Sequence, residues 1–172
     1  ATPCLVDLDG DGDLDFVSGF NSTKRLAVHR NIGTRNSPVF EAADAWPWPS
    51  VQGVLDGVTG VAGGGGVCAP AFVDINGDGR LEMFAGQSDG YLSFWTNSSV
   101  ASTNPVFVFE TGTYSNLYHV QNSMPAFADI DGDGDYDLLT GGEDGLLYFY
   151  WNTGTVYTAL WSAPTTNSIH QG

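Results

Sequence analysis

Three stretches of this sequence set oxygen-bearing side chains at the same relative positions: "DLDGDGDLD" from Asp7, "DINGDGRLE" from Asp74 and "DIDGDGDYD" from Asp129. Positions 1, 3, 5 and 9 hold Asp7, Asp9, Asp11 and Asp15 in the first, Asp74, Asn76, Asp78 and Glu82 in the second, and Asp129, Asp131, Asp133 and Asp137 in the third, always with Gly at position 6. Carboxylates packed this densely repel one another unless a cation sits among them. A hard ion such as Ca²⁺ resolves the conflict, because it takes six to eight oxygen ligands at about 2.3–2.6 Å from carboxylates and backbone carbonyls. Position 7 is Asp13, Arg80 or Asp135. A position that accepts Arg is assigned a backbone carbonyl contribution. The pattern predicts about three Ca²⁺, one per loop, with the second loop the weaker ligand set because Asn76 is neutral and Glu82 is longer than Asp.

Rival chemistries fit less well. An EF-hand needs flanking helices and a bidentate Glu at position 12, where this chain has Ser18, Ala85 and Thr140. The nonapeptide glycine pattern of a calcium β-roll is missing too. "GQSDG" at Gly86–Gly90 matches G-x-S-x-G, but that serine requires a strand before it and a helix after, and a strand-like "YLSFW" follows. In the third copy Glu143 aligns with Ser88, so a tight turn explains the match. His29, His119 and His170 are scattered, and "GGGG" at 63–66 lacks the Lys and Ser or Thr of a phosphate loop. No catalytic residue is assigned, and the chain is expected not to be an enzyme.

The elements that must hold such loops follow from an internal repeat. Aligned on the proline before each loop, the copies read "PCLVDLDGDGDLDFVSG" from Pro3, "PAFVDINGDGRLEMFAG" from Pro70 and "PAFADIDGDGDYDLLTG" from Pro125. Each continues into a turn and then an apolar run ending in Asn: "RLAVHRN", "YLSFWTN" and "LLYFYWN". That Asn lies 28, 27 and 27 residues after the proline. A last run follows: "PVF" at Pro38, "PVFVFE" at Pro105 and "VYTALW" at Val156. Short Val-, Phe-, Tyr- and Leu-rich segments between Gly, Asn and Asp clusters predict strands rather than helices, four per unit. "LLYFYWN" is apolar on both faces, as a sheet sandwiched between two neighbours requires. Repeats of about 40–50 residues with four strands predict an all-β fold of three four-stranded β-propeller-type blades. Their expected bounds are 3–40, 70–110 and 125–161, with a long Gly/Pro-rich connector at 41–69, a second connector at 111–124 and a tail at 162–172.

These residues, and most clearly "PAFADIDGDGDYDLLTGGEDGLLYFYWNTGT", resemble the FG-GAP or VCBS-type calcium-binding repeat, related to the blades of integrin α-subunit propellers. The resemblance covers nearly the whole chain. It implies that the loop between the first two strands of each blade binds Ca²⁺ through the residues named above. The 41–69 connector, with "WPWPS" and "GGGG", departs from the pattern by its length and glycine content. Trp46 and Trp48 within it are expected to pack against a blade edge rather than await a partner. Because first strands converge near a propeller axis, a Cys4–Cys68 disulfide is expected in an oxidising compartment.

Composition narrows the partners. Twenty acidic residues against five basic ones give a formal charge of −15, which argues against nucleic acid and anionic membranes. Thirteen of the twenty lie in the three loops, where cations would sit. No apolar run approaches the roughly 18 residues that cross a bilayer. The chain opens almost directly in a repeat, which suggests a mature or excised piece of something longer. Asn21-Ser-Thr and Asn97-Ser-Ser are glycosylation acceptor patterns, and with Ca²⁺ loops they favour a secreted or cell-surface location. The expected role is a structural or adhesive module, with a carbohydrate-binding lectin on the same fold as the alternative. Three blades are too few to close a ring, so other copies of the chain, or blades missing from it, are expected to complete it into a ring or filament, with the basic strand Lys24–Arg35 near the junction.

Overall fold

The computed structural model describes residues 2–20, 25–42, 69–100, 105–118 and 121–167. These form three antiparallel sheets and no α-helix. The first contains β1 (Thr2–Val6), β2 (Asp15–Phe20) and β3 (Arg25–His29), in that order. The second runs β4 (Ala69–Val73), β5 (Glu82–Gly86), β6 (Leu92–Asn97), β7 (Phe107–Thr111). The third runs β8 (Met124–Ala128), β9 (Asp137–Gly141), β10 (Leu147–Tyr150), β11 (Thr165–Asn167). None of them closes on itself.

The repeat alignment is reproduced in register. Pro3 pairs with Ser18, Pro70 with Ala85 and Pro125 with Thr140. All three prolines lie on the edge strand of their sheet, where the missing N–H costs no ladder bond. β4 packs against β1 and β2 on one side and against β8 on the other.

The four strands expected per unit hold for two sheets. In the first, three strands are seen, and the fourth line is represented by the bridge Asn31–Phe40 before the described residues end at 42. In the third, the outer line is displaced from the "VYTALW" run. Residues 153–160 fold back as a hairpin, with a bridge between Thr155 and Thr158, and pairing resumes at Trp161 and then at β11, inside the stretch read from sequence as a tail. The first unit has the same hairpin, with bridges Asn31–Phe40 and Thr34–Ser37, while β7 pairs with β6 from Asn97–Phe107 onward with a register shift between Phe94 and Trp95.

Burial differs from the sequence reading in one respect. The third strand of the third unit was expected at the centre, yet of β10 only Tyr150 is buried, whereas every residue of β5 is. The second sheet is the sandwiched one. One of its faces joins Val6, Leu8 and Val17 of the first sheet to Met83, Ala85, Trp95 and Phe107. Its other face carries Ala71, Val73, Ile75 and Phe84, which meet Phe127 and Trp161 of the third. Phe84 lies 4.6 Å from Phe127, centroid to centroid, and 5.0 Å from Tyr114. Truncating so enclosed a ring to Ala costs about 3–5 kcal/mol. The second and third units are also bound through polar groups: Gln87 N–H donates to Ser123 Oγ at 2.8 Å, and Ser123 Oγ donates to Tyr91 O at 2.8 Å.

Candidate metal centres

Each acidic stretch joins the first two strands of its sheet: residues 7–14 link β1 to β2, 74–81 link β4 to β5, and 129–136 link β8 to β9. The carboxylate at position 1 folds the loop over itself. Asp7 accepts from Gly10 N–H (2.7 Å) and Gly12 N–H (3.0 Å), and Asp129 accepts from Gly132 N–H (2.7 Å) and Gly134 N–H (3.2 Å). In the second loop Asp74 accepts from Asp78 N–H (3.1 Å) and Gly79 N–H (2.9 Å). Positions 4 and 6 sit in the left-handed region, with φ from +68° at Gly77 to +97° at Gly134, which glycine alone adopts without steric cost. Positions 3 and 5 each accept an N–H two residues on, as Asp9 does from Asp11 and Asp11 from Asp13.

The position 9 carboxylate is the inner anchor. Asp15 accepts Leu8 N–H at 2.9 Å and Asn31 N–H at 2.8 Å; Asp137 accepts Ile130 N–H at 3.0 Å and Asn152 N–H at 2.9 Å. Glu82 accepts Ile75 N–H at 3.2 Å. The loop is thereby tied to the end of the third strand as well as to the second. The asparagines found there were visible in sequence as a constant spacing, but their role was not. Asn31 Oδ1 accepts Gly33 and Val39 N–H, Asn97 Oδ1 accepts Ser99 and Val106 N–H, and Asn152 Oδ1 accepts Gly154 and Leu160 N–H. All three are buried.

In two loops the carboxylates converge. One oxygen each from Asp7, Asp9 and Asp15, and one each from Asp129, Asp131 and Asp137, lie within 4.8 Å of one another. Two oxygens bound to one Ca²⁺ at 2.3–2.6 Å are at most about 5 Å apart, so both sets have the spacing to share an ion. Position 5 (Asp11, Asp133) and position 7 (Asp13, Asp135) fall outside these triads. In the second loop no three carboxylates gather. There Arg80 pairs with Asp78, and its Nη1 reaches Ser99 O at 3.4 Å. In the first loop Arg30, missed by the sequence reading, pairs with the buried carboxylate of Asp9; the equivalent residue beside the third loop is Trp151.

The electrostatics record the crowding. Burial pushes the Asp15 carboxyl up, against the two backbone N–H groups that hold it down, and Asp9 and Asp11 add to the rise. Desolvation and then the charges of Asp133 and Asp137 raise Asp135, whose Oδ1 is buried with no hydrogen-bond partner. Glu82 is the extreme case. It is fully buried, Oε1 lacks a partner, and desolvation followed by the charge of Asp78 pushes it up to about 7. Orphaned, uncomfortable carboxylate oxygens are what an oxygen-seeking cation would relieve.

The FG-GAP-like repeat pattern matches residues 7–85 and, overlapping, 74–140. The chain belongs to the FG-GAP-like repeat family. Both matches begin on the position 1 aspartate of a loop, so the acidic loops are part of what defines each FG-GAP-like repeat here. No curated protein and no solved structure matches the chain.

The FG-GAP-like geometry bears on other sequence assignments. Asn97 is a poor sugar acceptor: it is buried, and its Nδ2 donates to Leu81 O at 3.1 Å, so a glycan on that nitrogen would displace the strand end. Gly86–Gly90 is a turn between two strands, closed by Gln87 N–H to Tyr91 O at 3.0 Å, and not a strand-to-helix elbow. His29 Nδ1 lies 2.9 Å from Glu41 O, a structural contact. Of the basic residues expected at a junction, Arg30 turns to the first loop and Arg35 is exposed in the hairpin after β3, while Lys24 lies outside the described residues. Asn21, Cys68, Trp46, Trp48, His119, His170 and residues 63–66 also lie outside them, and with Cys68 goes the Cys4–Cys68 pairing; Cys4 itself is half-buried on β1.

Proposed function

We propose that the chain is a secreted, calcium-stabilised repeat module with a structural or adhesive role. The observation that carries this reading is the convergence of the Asp7, Asp9, Asp15 and Asp129, Asp131, Asp137 oxygens in loops whose backbone is already held in place. Asp7, Asp9 and Asp15 would hold one ion, Asp129, Asp131 and Asp137 a second, and Asp74, Asn76, Asp78 and Glu82 a third, weaker one. The ion would neutralise the carboxylates and tie the first strand of each sheet to the second and, through the position 9 anchor, to the third. Because an unfolded chain has no such site, binding free energy adds to folding. Its role in this account is mechanical rather than catalytic.

Among the described residues, the small clefts beside the loops favour the structural role over a sugar site in those clefts. The clefts between the first and second loops and between the second and third measure about 100 and 180 Å³, against the roughly 300–1,000 Å³ of ordinary ligand pockets.

A thermal melt with and without chelator tests the proposal. At Ca²⁺ a hundredfold above its Kd, one site adds about 2.7 kcal/mol, or roughly 5–11 °C for a chain of this size. Mg²⁺ should restore little of this, since it demands tight octahedral geometry. Identical melts in Ca²⁺ and in chelator would overturn the reading.

A further inference from the structure

The two clefts beside the loops are built alike. Each is lined by positions 1, 2 and 4 of one acidic loop, by positions 6, 7 and 8 of the next, and by the buried asparagine at the end of the later unit's third strand. Corresponding residues therefore meet in both, and at only one of these positions does the charge change. Position 1 gives Asp7 in the first cleft and Asp74 in the second, but position 7 gives Arg80 in the first and Asp135 in the second.

The backbone presents position 7 in the same way in both loops: Arg80 N–H donates to Asp78 Oδ1 at 2.9 Å, and Asp135 N–H donates to Asp133 Oδ1 at 3.1 Å. In the first cleft the guanidinium of Arg80 brings a positive charge of its own, pairing with Asp78 and reaching Ser99 O at 3.4 Å. In the second cleft a carboxylate takes that place, beside the charge of Asp133 and in the same space as Asp74. Asp135 is 5 % exposed, and its Oδ1 is buried with no hydrogen-bond partner among the described residues. An ionised oxygen so enclosed is costly unless a cation meets it. The third unit has no basic side chain to meet it with, since no Lys or Arg follows Arg80 in the sequence. The second cleft is also the roomier, at about 180 Å³ against about 100 Å³, which is space for several waters.

We infer that the cleft between the second and third loops holds a divalent cation that keeps part of its water shell, with Asp135 Oδ1 as a direct ligand and Asp74 as the second negative charge. The ion takes the place that the Arg80 guanidinium fills one unit earlier, and it ties the third unit to the second. It is separate from the ions proposed for the triads, which leave the position 7 side chain outside, and the inference stands whether or not those triads hold Ca²⁺. Two carboxylates balance one divalent charge, and Mg²⁺ in particular binds through one or two carboxylates while retaining several waters. With so few protein ligands the site is weaker than a triad and adds little to the melt.

Titration calorimetry of chelator-stripped protein with Mg²⁺ alone tests it. The parent should bind one Mg²⁺ that depends on Asp135. Asp135→Asn, which keeps the shape and removes the charge, should weaken that binding at least tenfold, and Asp135→Arg, which copies the second unit, should abolish it. Glu110→Gln removes the same charge from an exposed residue of β7 and should leave it unchanged. In chelator Asp135→Asn should melt no lower than the parent, because the buried charge is gone. Titrated with Ca²⁺ instead, Asp135→Asn should keep the tight ions of the two triads. A parent without saturable Mg²⁺ binding, Mg²⁺ binding that Asp135→Asn leaves unaltered, or a tight Ca²⁺ ion lost together with it would overturn the inference. Tight Ca²⁺ binding absent from parent and variants alike, with the Mg²⁺ result intact, would instead count against the calcium reading alone.

Discussion

Replacing Glu82 by Gln in metal-free protein should change how stability depends on pH. The folded-state value of about 7 lies above the ordinary 4.5, so the folded chain holds the proton more tightly than the unfolded one. The stability contributed by the protonated form is complete below about pH 4.5 and is lost as pH rises to about 7. Since the chain's pI is near 4.1, the usable window runs from about pH 5.5 to 8. At 1.36 kcal/mol per unit, roughly 1.5 units of that window give a loss of about 2 kcal/mol, or about 4–8 °C in Tm. Glu82 is fully buried, so solvent screening removes little of it. Gln reproduces the protonated form: one oxygen still accepts Ile75 N–H, and the amide nitrogen takes the place of the unpartnered Oε1. The assay is urea denaturation in chelator at several pH values. Glu82→Gln should cancel about 2 kcal/mol of the parent's decline. In saturating Ca²⁺ the ion favours the carboxylate, and the parent should regain or exceed the variant's stability at pH 8. Parallel curves for parent and variant in chelator would refute the reasoning.

Three further outcomes follow from the contacts. Asn152→Ala removes the acceptor of the Gly154 and Leu160 N–H groups and should cost about 2–3 kcal/mol in urea denaturation, although the residue lies outside the acidic triads. Gly86→Ala would place a Cβ 2.0 Å from Ser123 O, a backbone atom that cannot move aside cheaply, and should cost upwards of about 2 kcal/mol on the same assay. Arg30→Ala leaves the buried Asp9 without its ion pair; it should lower stability by about 1–3 kcal/mol in chelator and by much less in Ca²⁺, where the ion takes over, as melts of parent and variant in the two conditions would show.

The parts of the fold that repeat were legible in the sequence, because a proline, an acidic loop and a terminal asparagine recur at nearly fixed distances and each copy checks the others. Strand boundaries beyond the asparagine were not. The 153–160 hairpin carries Val156, Tyr157 and Leu160, apolar residues that read as a strand, yet the bonds of Asn152 to Gly154 and Leu160 turn the chain back there. The all-apolar "LLYFYWN" read as a central strand because periodicity reports which faces are apolar and not whether a neighbour is present to cover them. Of the loop residues, positions 1, 3 and 9 come together in two loops as their spacing implied. Positions 5 and 7 do not: Asp11 and Asp133 accept N–H groups within the backbone turn, and Asp135 is buried apart from the triad. Arg30 was invisible in a one-dimensional pattern, as its contact with Asp9 crosses from the end of the third strand to the loop before the second. Asn97 was misleading because Asn-Ser-Ser specifies an acceptor tripeptide but says nothing of burial.

Calorimetric titration of chelator-stripped protein with Ca²⁺ tests the central claim most directly. The account predicts saturable binding of at least two ions per chain, falling by one in Asp9→Asn and by one in Asp131→Asn, with the loop two ion appearing as a weaker phase lost in Glu82→Gln. No saturable heat, or a stoichiometry that the Asp9 and Asp131 substitutions leave unchanged, would contradict it.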